Sequence, residues 1–296
     1  MQWLILFFGL LISFIAKAEP MVIRVVDAAT INTSPQNAYF LSALRLALDK
    51  SQTKYGEYWL EPIDVPINQL RQFKELDKGN VDVFWTVATP MRGAQALTVN
   101  IPLAFGSFGV RVLALNNSDQ ADLATEPLAK LKRYPVLLGE DWPDVRVFEE
   151  AGFTVVKENN TKAMYHLLAQ QRGHLFPRGV IEILPELTML NQRHVGFLAK
   201  RVLVYPAMVT FYVKKGNLAL HRRLRYGLSL AMQDGSLAKL FYSSPFMQQA
   251  KQNIELSEAE VHYLSSPLVS ESQYPIGLIK QLQSQLLLRP NYSPSR

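Results

Sequence analysis

Thr89 and Arg92, three residues apart, are the pair in this chain best suited to binding a small anion. The arginine guanidinium is a planar fork of N–H donors that matches a carboxylate, and the threonine hydroxyl adds a further donor. Both follow the apolar run of residues 81–87, whose Val, Phe and Trp content predicts a strand buried on both faces. Ligands bind outside the carboxyl ends of strands in open α/β sheets, so this corner is a candidate site. The alternative is a surface arginine that caps a loop.

The N-terminus predicts export. Residues 3–15 are almost entirely apolar, and Ala16-Lys17-Ala18 has the small residues of a signal-peptide cleavage site. The run is shorter than the roughly 20 residues needed to span a membrane. We therefore predict a signal peptide over residues 1–18 and a mature periplasmic monomer that begins at Glu19. Only the amino terminus supplies positive charge ahead of the run, so an uncleaved anchor is the alternative.

The composition excludes several classes of function. The chain has no cysteine, which excludes a disulfide framework, a thiolate nucleophile and a cysteine metal site. Its five histidines lack metal-ligand spacing, and no P-loop or serine-hydrolase motif occurs. A net charge of +6 is ordinary for a surface of mixed charge. We expect no cofactor, no metal and no nucleic-acid partner.

Strands and helices alternate along the chain, which predicts a parallel α/β layer. After a second α/β unit, residues 202–213 run back toward the first, so the chain is expected to cross twice between two lobes. The crossings are placed near residues 102–109 and 202–206. Lobe one is predicted over residues 19–104 and 205–296, and lobe two over residues 105–204.

Three blocks of sequence together resemble one protein family. They are DVFWTVATPMRGAQALTVNIPL at 82–103, RGHLFPRGVIEI at 172–183, and FYVKKGNLALHRRLRYGLSLAMQDGSLAKLF at 211–241. In order and spacing they are similar to the type II, amino-acid-type solute-binding proteins of bacterial extracellular solute-binding protein family 3. The resemblance covers most of residues 20–245 and implies the two-lobe Venus flytrap fold with two hinge crossings. The FPRG and DWPD elements look like those of a subgroup of such proteins.

This resemblance implies ligand contacts on both lobes. It makes Arg92 the partner of a ligand carboxylate, with Thr89 beside it. Amino-acid binders of the family usually place an acidic residue on lobe two for the ligand's ammonium group. That position aligns with Gly179 here, beside Arg178. A second arginine in the cleft predicts a ligand with two anionic groups, or one without an amine.

Other candidate contacts each have a structural alternative. Arg178 could instead pair with Glu182, four residues further on. A strand tryptophan such as Trp85 is more often part of the core, and Trp142 could simply shape a turn. An acidic residue at the end of the first strand often caps a helix. These further candidates are Trp85, Trp142, Asp27, Asp141 and Glu182.

Two classes of function follow. One is a binding protein that captures a small carboxylate-bearing ligand, amino-acid-like ligands included, for an inner-membrane ABC permease or a sensor kinase. The other is a periplasmic enzyme on the same scaffold, because some relatives of this fold are dehydratases of small carboxylates. Its general acid or base would be Glu140, Asp141 or Glu182. Nothing in the sequence pairs these carboxyl groups, so we expect no enzymatic activity. A structural partner in a signalling complex that binds no ligand is a third possibility.

Overall fold

A computed structural model describes residues 19–26, 35–64, 69–170, 173–270 and 272–288. The predicted signal peptide, residues 1–18, lies outside these ranges. No helix in the described part of the chain combines the length and apolar character that a membrane span requires. In chain order the elements are β1 (Met21–Val26), α1 (Pro35–Tyr55), β2 (Tyr58–Ile63), α2 (Gln69–Lys78), β3 (Val83–Val87), α3 (Pro90–Gln95), β4 (Leu97–Thr98), β5 (Val110–Asn116), α4 (Gln120–Ala124), α5 (Leu128–Leu131), β6 (Val136–Leu138), α6 (Asp144–Glu150), β7 (Val155–Lys157), α7 (Thr161–Gln170), β8 (Phe176–Gly179), α8 (Ile183–Met189), β9 (Val195–Phe197), β10 (Arg201–Val204), β11 (Val209–Val213), α9 (Leu218–Gln233), α10 (Ser236–Tyr242), α11 (Pro245–Asn253), β12 (Glu260–Tyr263) and α12 (Ile276–Leu288).

Lobe one combines strands that precede the first crossing with β11, which follows the second crossing. β1 pairs in parallel with β2, and β11 pairs antiparallel with both β3 and β4. The Asp82 N–H donates to the Arg24 carbonyl at 2.8 Å and brings β3 beside β1. The side chain of Asp82 also accepts from Arg24 Nε at 2.9 Å. β3 and β11 are mostly apolar and buried, as expected for central strands covered on both faces.

Lobe two has its own sheet. β6 pairs in parallel with β7, and an isolated bridge from Val136 to Leu175 places β6 beside β8. β5 then runs antiparallel to β8, β9 and β10. The edge strand β12 pairs in parallel with β10 although it lies within the segment predicted for lobe one. The lobe boundaries themselves stay a prediction.

The two crossings lie side by side. In the first, Phe105 and Gly106 both have positive φ values, 52° and 75°. A positive φ is uncommon for a bulky residue such as Phe105, so the surrounding structure must hold the backbone in this conformation. The second crossing follows β10, and its Tyr205 N–H donates to the Gly109 carbonyl at 2.9 Å. The predicted α/β arrangement with two crossings is therefore present.

One local prediction was incomplete. The sequence predicts a polar corner at residues 88–92 followed by an extended segment, but the chain enters helix α3 at Pro90. Thr89 has extended backbone angles and its hydroxyl accepts from the Arg92 N–H at 3.2 Å, which is an N-cap. Proline at the first helical position has no N–H to leave unbonded. The corner thus presents Arg92 from a helix rather than from a loop.

Candidate functional site

A cavity of about 540 Å³ lies where the Arg92 corner meets a loop of lobe two. Residues of helices α2 and α3 line one side, and the loop before α6 with the first turn of α6 lines the other. The C-terminal region adds Pro267 and Leu268. The lining residues are Phe73, Thr89, Pro90, Met91, Arg92, Gln95, Glu140, Asp141, Trp142, Pro143, Val145, Arg146, Pro267 and Leu268.

Arg92 is held by the end of β3 beneath it. Its Nη1 donates to Thr86 Oγ1 at 3.0 Å and to the Val87 carbonyl at 2.8 Å. The residue is only 5% exposed, so it is not the surface arginine of the alternative interpretation. Burial lowers the pKa of Arg92, against the smaller opposing influence of Tyr212 and Asp144. An arginine nevertheless stays protonated in proteins, so the cavity wall carries a positive charge.

Thr89 takes part in the cavity wall in two ways. Its hydroxyl caps α3, and its carbonyl accepts a hydrogen bond from the Tyr274 hydroxyl at 2.8 Å. Both atoms are therefore engaged in holding the corner. A direct contact of Thr89 with a ligand stays a prediction.

The loop opposite the Arg92 corner carries Trp142. The Trp142 N–H donates to the Gly139 carbonyl at 2.9 Å, which closes a tight turn after β6. The indole stacks on Phe176 with ring centroids 6.1 Å apart. The Arg178 guanidinium lies 4.9 Å from the centroid of the Trp142 ring, within cation–π range. Trp142 is thus presented half-buried to the cavity, and exposed Asp141 stands beside it.

Arg178 and Glu182 belong to a buried ion cluster of lobe two. Arg178 Nη2 lies 3.0 Å from Glu182 Oε1 and 2.5 Å from Glu186 Oε1. Glu182 also accepts from Arg111 Nη1 at 2.6 Å and from the Gly179 N–H at 2.9 Å. Neither Arg178 nor Glu182 is among the residues that line the cavity with Arg92. The geometry matches the predicted alternative of an Arg178–Glu182 pair, and a ligand contact for either residue stays a prediction.

Sequence reasoning missed the rest of this cluster. Arg111 Nη2 lies 2.5 Å from Asp144 Oδ1, and its Nε donates to the Tyr205 hydroxyl at 2.8 Å. Tyr205 in turn donates to Asp144. Burial, with the nearby Asp144 carboxylate, raises the pKa of Tyr205. A charged residue inside the apolar strand β5 was the available signal, because buried charges are normally paired.

Two other candidates lie elsewhere. The Trp85 Nε1–H donates to Asn37 Oδ1 at 3.1 Å, and its ring lies 5.7 Å from that of Phe40. This packing fits the core alternative, and Trp85 is not part of the cavity wall. Asp27 lies outside the described residues, so its role stays a prediction.

The candidate acids of the enzyme hypothesis are in different environments. Glu140 is exposed and accepts from Asn159 Nδ2 at 2.9 Å, whereas Glu182 is committed to the ion cluster. Asp141 is exposed at the cavity. Among the described residues there is no group of three or more His, Cys, Asp or Glu side chains placed to hold a metal ion.

Solved structures share this architecture. An ancestral arginine-binding protein bound to arginine is 18% identical with a TM-score of 0.54, over 76% of this chain and 98% of that chain. A structure from glutathione import via GshT and a cystine ABC importer in Streptococcus mutans is 12% identical, with a TM-score of 0.55, over 76% and 95%. The periplasmic VFT2 domain of Bordetella pertussis BvgS is 14% identical, with a TM-score of 0.57, over 76% and 92%.

These comparisons show the fold. The chain has the two-lobe Venus flytrap architecture of periplasmic binding proteins, as the sequence resemblance predicted. No protein-family model and no curated protein matches the chain. Its membership of extracellular solute-binding protein family 3 therefore remains a prediction.

Proposed function

We propose that this protein captures a small carboxylate-bearing solute in the cavity at the Arg92 corner. The supporting observation is the placement of Arg92, which lies buried in the wall of a cavity that both lobes line. A guanidinium taken out of water loses solvation, and a bound anion offsets that loss in a low-dielectric site. The two-lobe fold supports the proposal because such folds close around ligands.

The cavity also suits an amine on the same ligand. The expectation of a ligand without an amine rested on Arg178, which is engaged by Glu182 and Glu186. The cavity wall itself contains Glu140 and Asp141 on the side of lobe two. A ligand with its carboxylate near Arg92 and its ammonium group near Asp141 would place each charged group beside a side chain of opposite charge. An amino-acid-like ligand is thus our proposal for the ligand class.

The proposed setting is the periplasm. The predicted signal peptide directs export, and the ligand would pass to an inner-membrane ABC permease or be sensed by a kinase. Proteins of similar fold support both kinds of partner, since they include the glutathione-import structure and a histidine kinase sensor domain (TM-score 0.56). We also propose that the chain is a divergent member of solute-binding protein family 3, in a subgroup with FPRG and DWPD elements, and that it is not an enzyme.

Native mass spectrometry of the exported protein tests this function. We expect the mature chain to begin at Glu19 and to carry a small molecule with a carboxyl group after gentle purification. Arg92→Ala, purified in the same way, should carry much less of it. The proposal fails if the wild type retains nothing and no amino acid, short peptide or dicarboxylate in a screening panel raises its melting temperature. Incubation of the identified molecule with the protein, followed by NMR, would reveal turnover and thus favour the enzyme alternative.

A further inference from the structure

The C-terminal region lies across both hinge crossings. We call residues 264–270 and 272–288 the C-terminal strap. At its start the Leu264 N–H donates to the Val204 carbonyl at 2.8 Å, and Ser266 Oγ donates to the Pro206 carbonyl at 3.0 Å. The strap therefore begins along the second crossing.

Gln283, on helix α12, joins the two crossings to each other. Its Nε2 donates to the Gly106 carbonyl at 3.0 Å and to the Tyr205 carbonyl at 2.9 Å. The first carbonyl belongs to one crossing and the second to the other. Gln283 is only 3% exposed, so water cannot readily replace these bonds.

The strap is also fixed to lobe one beside the candidate ligand site. The Tyr274 hydroxyl donates to the carbonyl of Thr89 at 2.8 Å, and Asn100 Nδ2 donates to the Gln273 carbonyl at 3.2 Å. Pro267 and Leu268 form part of the cavity wall. One continuous segment thus contacts both the hinge and the Arg92 corner.

Two glycines make room for these contacts. A Cβ at Gly93 would lie 2.8 Å from the Tyr274 hydroxyl oxygen, and a Cβ at Gly106 would lie 2.7 Å from Gln283 Cγ. Such distances are too short for real side chains, so both contacts depend on glycine at those positions. The strap therefore packs closely against the rest of the protein at Gly93 and at Gly106.

We propose that the C-terminal strap is a hinge clasp that restricts the opening of the two lobes. Opening a two-lobe fold changes the backbone angles of its crossings. Here such a change would rotate the Gly106 and Tyr205 carbonyls away from a common donor. A buried carbonyl without a donor is unfavourable, so the clasp favours the arrangement in which the lobes meet. In that arrangement Gln36 Nε2 of lobe one donates to the Ile181 carbonyl of lobe two at 2.6 Å.

The experiment measures lobe separation in the ligand-free mature protein, so it does not depend on the proposed function. The chain has no cysteine, so Lys74→Cys on α2 and Ala163→Cys on α7, both exposed, can carry a pair of spin labels. Gln283→Met removes the donor and keeps the approximate shape. We expect the fraction of long distances to rise about threefold to tenfold, as expected for the loss of one or two net hydrogen bonds.

Gln281→Met is the matched control, because Gln281 is exposed on the same helix. Its distance distribution should equal that of the wild type. If Gln283→Met does not fold, Gln283→Ala replaces it, since alanine has no donor for either carbonyl and adds no bulk. Equal distributions in the wild type and the folded Gln283 variant would overturn the clasp, whatever the protein binds.

Discussion

Two arginines of similar sequence context have different electrostatic surroundings. Arg178 is surrounded by the carboxylates of Glu182 and Glu186 on lobe two. The Nη1 of Arg92 instead donates to neutral oxygens, those of Thr86 and Val87. An arriving carboxylate would have to displace existing ion pairs at Arg178. Arg92 also lines the cavity and Arg178 does not, so Arg92 is the stronger candidate for anion binding.

Arg92→Ala should weaken ligand binding by at least about tenfold, because a charge-assisted bond is worth roughly 1.5–3 kcal/mol. Since the side chain is buried, we also expect stability to fall by about 1–3 kcal/mol, as the Val87 carbonyl loses its donor. Arg92→Lys should restore affinity only in part, because an ammonium cannot donate through two parallel N–H groups. Calorimetric titration and urea unfolding measure the two effects.

Arg222→Ala is the control for Arg92→Ala. Arg222 is exposed on α9, and its removal changes the net charge by the same amount. We expect its affinity and stability to match the wild type. Reduced stability with full affinity in Arg92→Ala would contradict the ligand role and leave Arg92 a structural residue.

Arg178→Met should destabilise the protein by about 3–5 kcal/mol, because Glu186 loses its arginine partner and Glu182 keeps only Arg111 of its two. It should also release Trp142, whose ring the guanidinium covers. We expect a lowered melting temperature and a change in tryptophan fluorescence. An unchanged melting curve with lost affinity would instead support the original prediction that Arg178 binds the ligand.

At the scale of elements, periodicity and apolar runs located most strands and helices within a few residues. The apolar run of residues 22–26 predicts a strand, and the structure has one at Met21–Val26; the helical spacing of residues 161–171 predicts a helix, and the structure has Thr161–Gln170. These elements bury long apolar stretches, so their sequence patterns are strong. Helix α3 was missed because its six residues are too few to show a period, although Thr89 and Pro90 are a usual helix start.

The site depends on contacts that no local pattern reveals. Asp144 lies beside Trp142 in sequence, but its partner Arg111 is 33 residues away. Similarly, Tyr274 reaches Thr89 across 185 residues. Single-sequence reasoning can suggest that a charge such as Arg111 needs a partner, yet it cannot identify which residue the fold supplies.

The ion cluster of lobe two predicts a pH effect on stability. It contains three carboxyl groups, those of Asp144, Glu182 and Glu186, and two guanidinium groups, those of Arg111 and Arg178. Burial raises the pKa of Glu186 above its usual value, against the opposing effect of Arg178. The folded state therefore binds a proton more tightly than the unfolded chain does. It follows that the contribution of Glu186 to stability falls as pH rises through the folded-state pKa.

Glu186→Gln removes this titration. The stability of the variant relative to the wild type should therefore increase as pH rises above about 4.5, the unperturbed value for Glu. Urea unfolding at several pH values up to 8 measures the difference. Gln281→Met, at an exposed site on α12, removes no titratable group and should give a constant difference. A flat or falling difference for Glu186→Gln would refute the assignment of a raised pKa.

At the scale of the whole molecule, the sequence resemblance covered residues 20–245 and correctly predicted two lobes joined by two crossings. It did not extend to the C-terminal strap, which packs on those crossings. The proposed restraint of the hinge arises from contacts between segments that are far apart in sequence, so no local pattern predicts it. This restraint affects how far the lobes should close when ligand binds.

Ligand binding should close the lobes about the crossings near residues 102–109 and 202–206. Because the clasp already favours the closed arrangement in the empty wild type, ligand binding should lower its radius of gyration only slightly. In Gln283→Met the empty protein should be more open, and the same ligand should then cause a larger decrease. Small-angle scattering measures the radius of gyration of both proteins, each without ligand and with a saturating concentration of the molecule identified by mass spectrometry. Equal profiles with and without ligand in both proteins would contradict closure. Equal decreases in both would support hinge closure, but they would contradict its restriction by the strap.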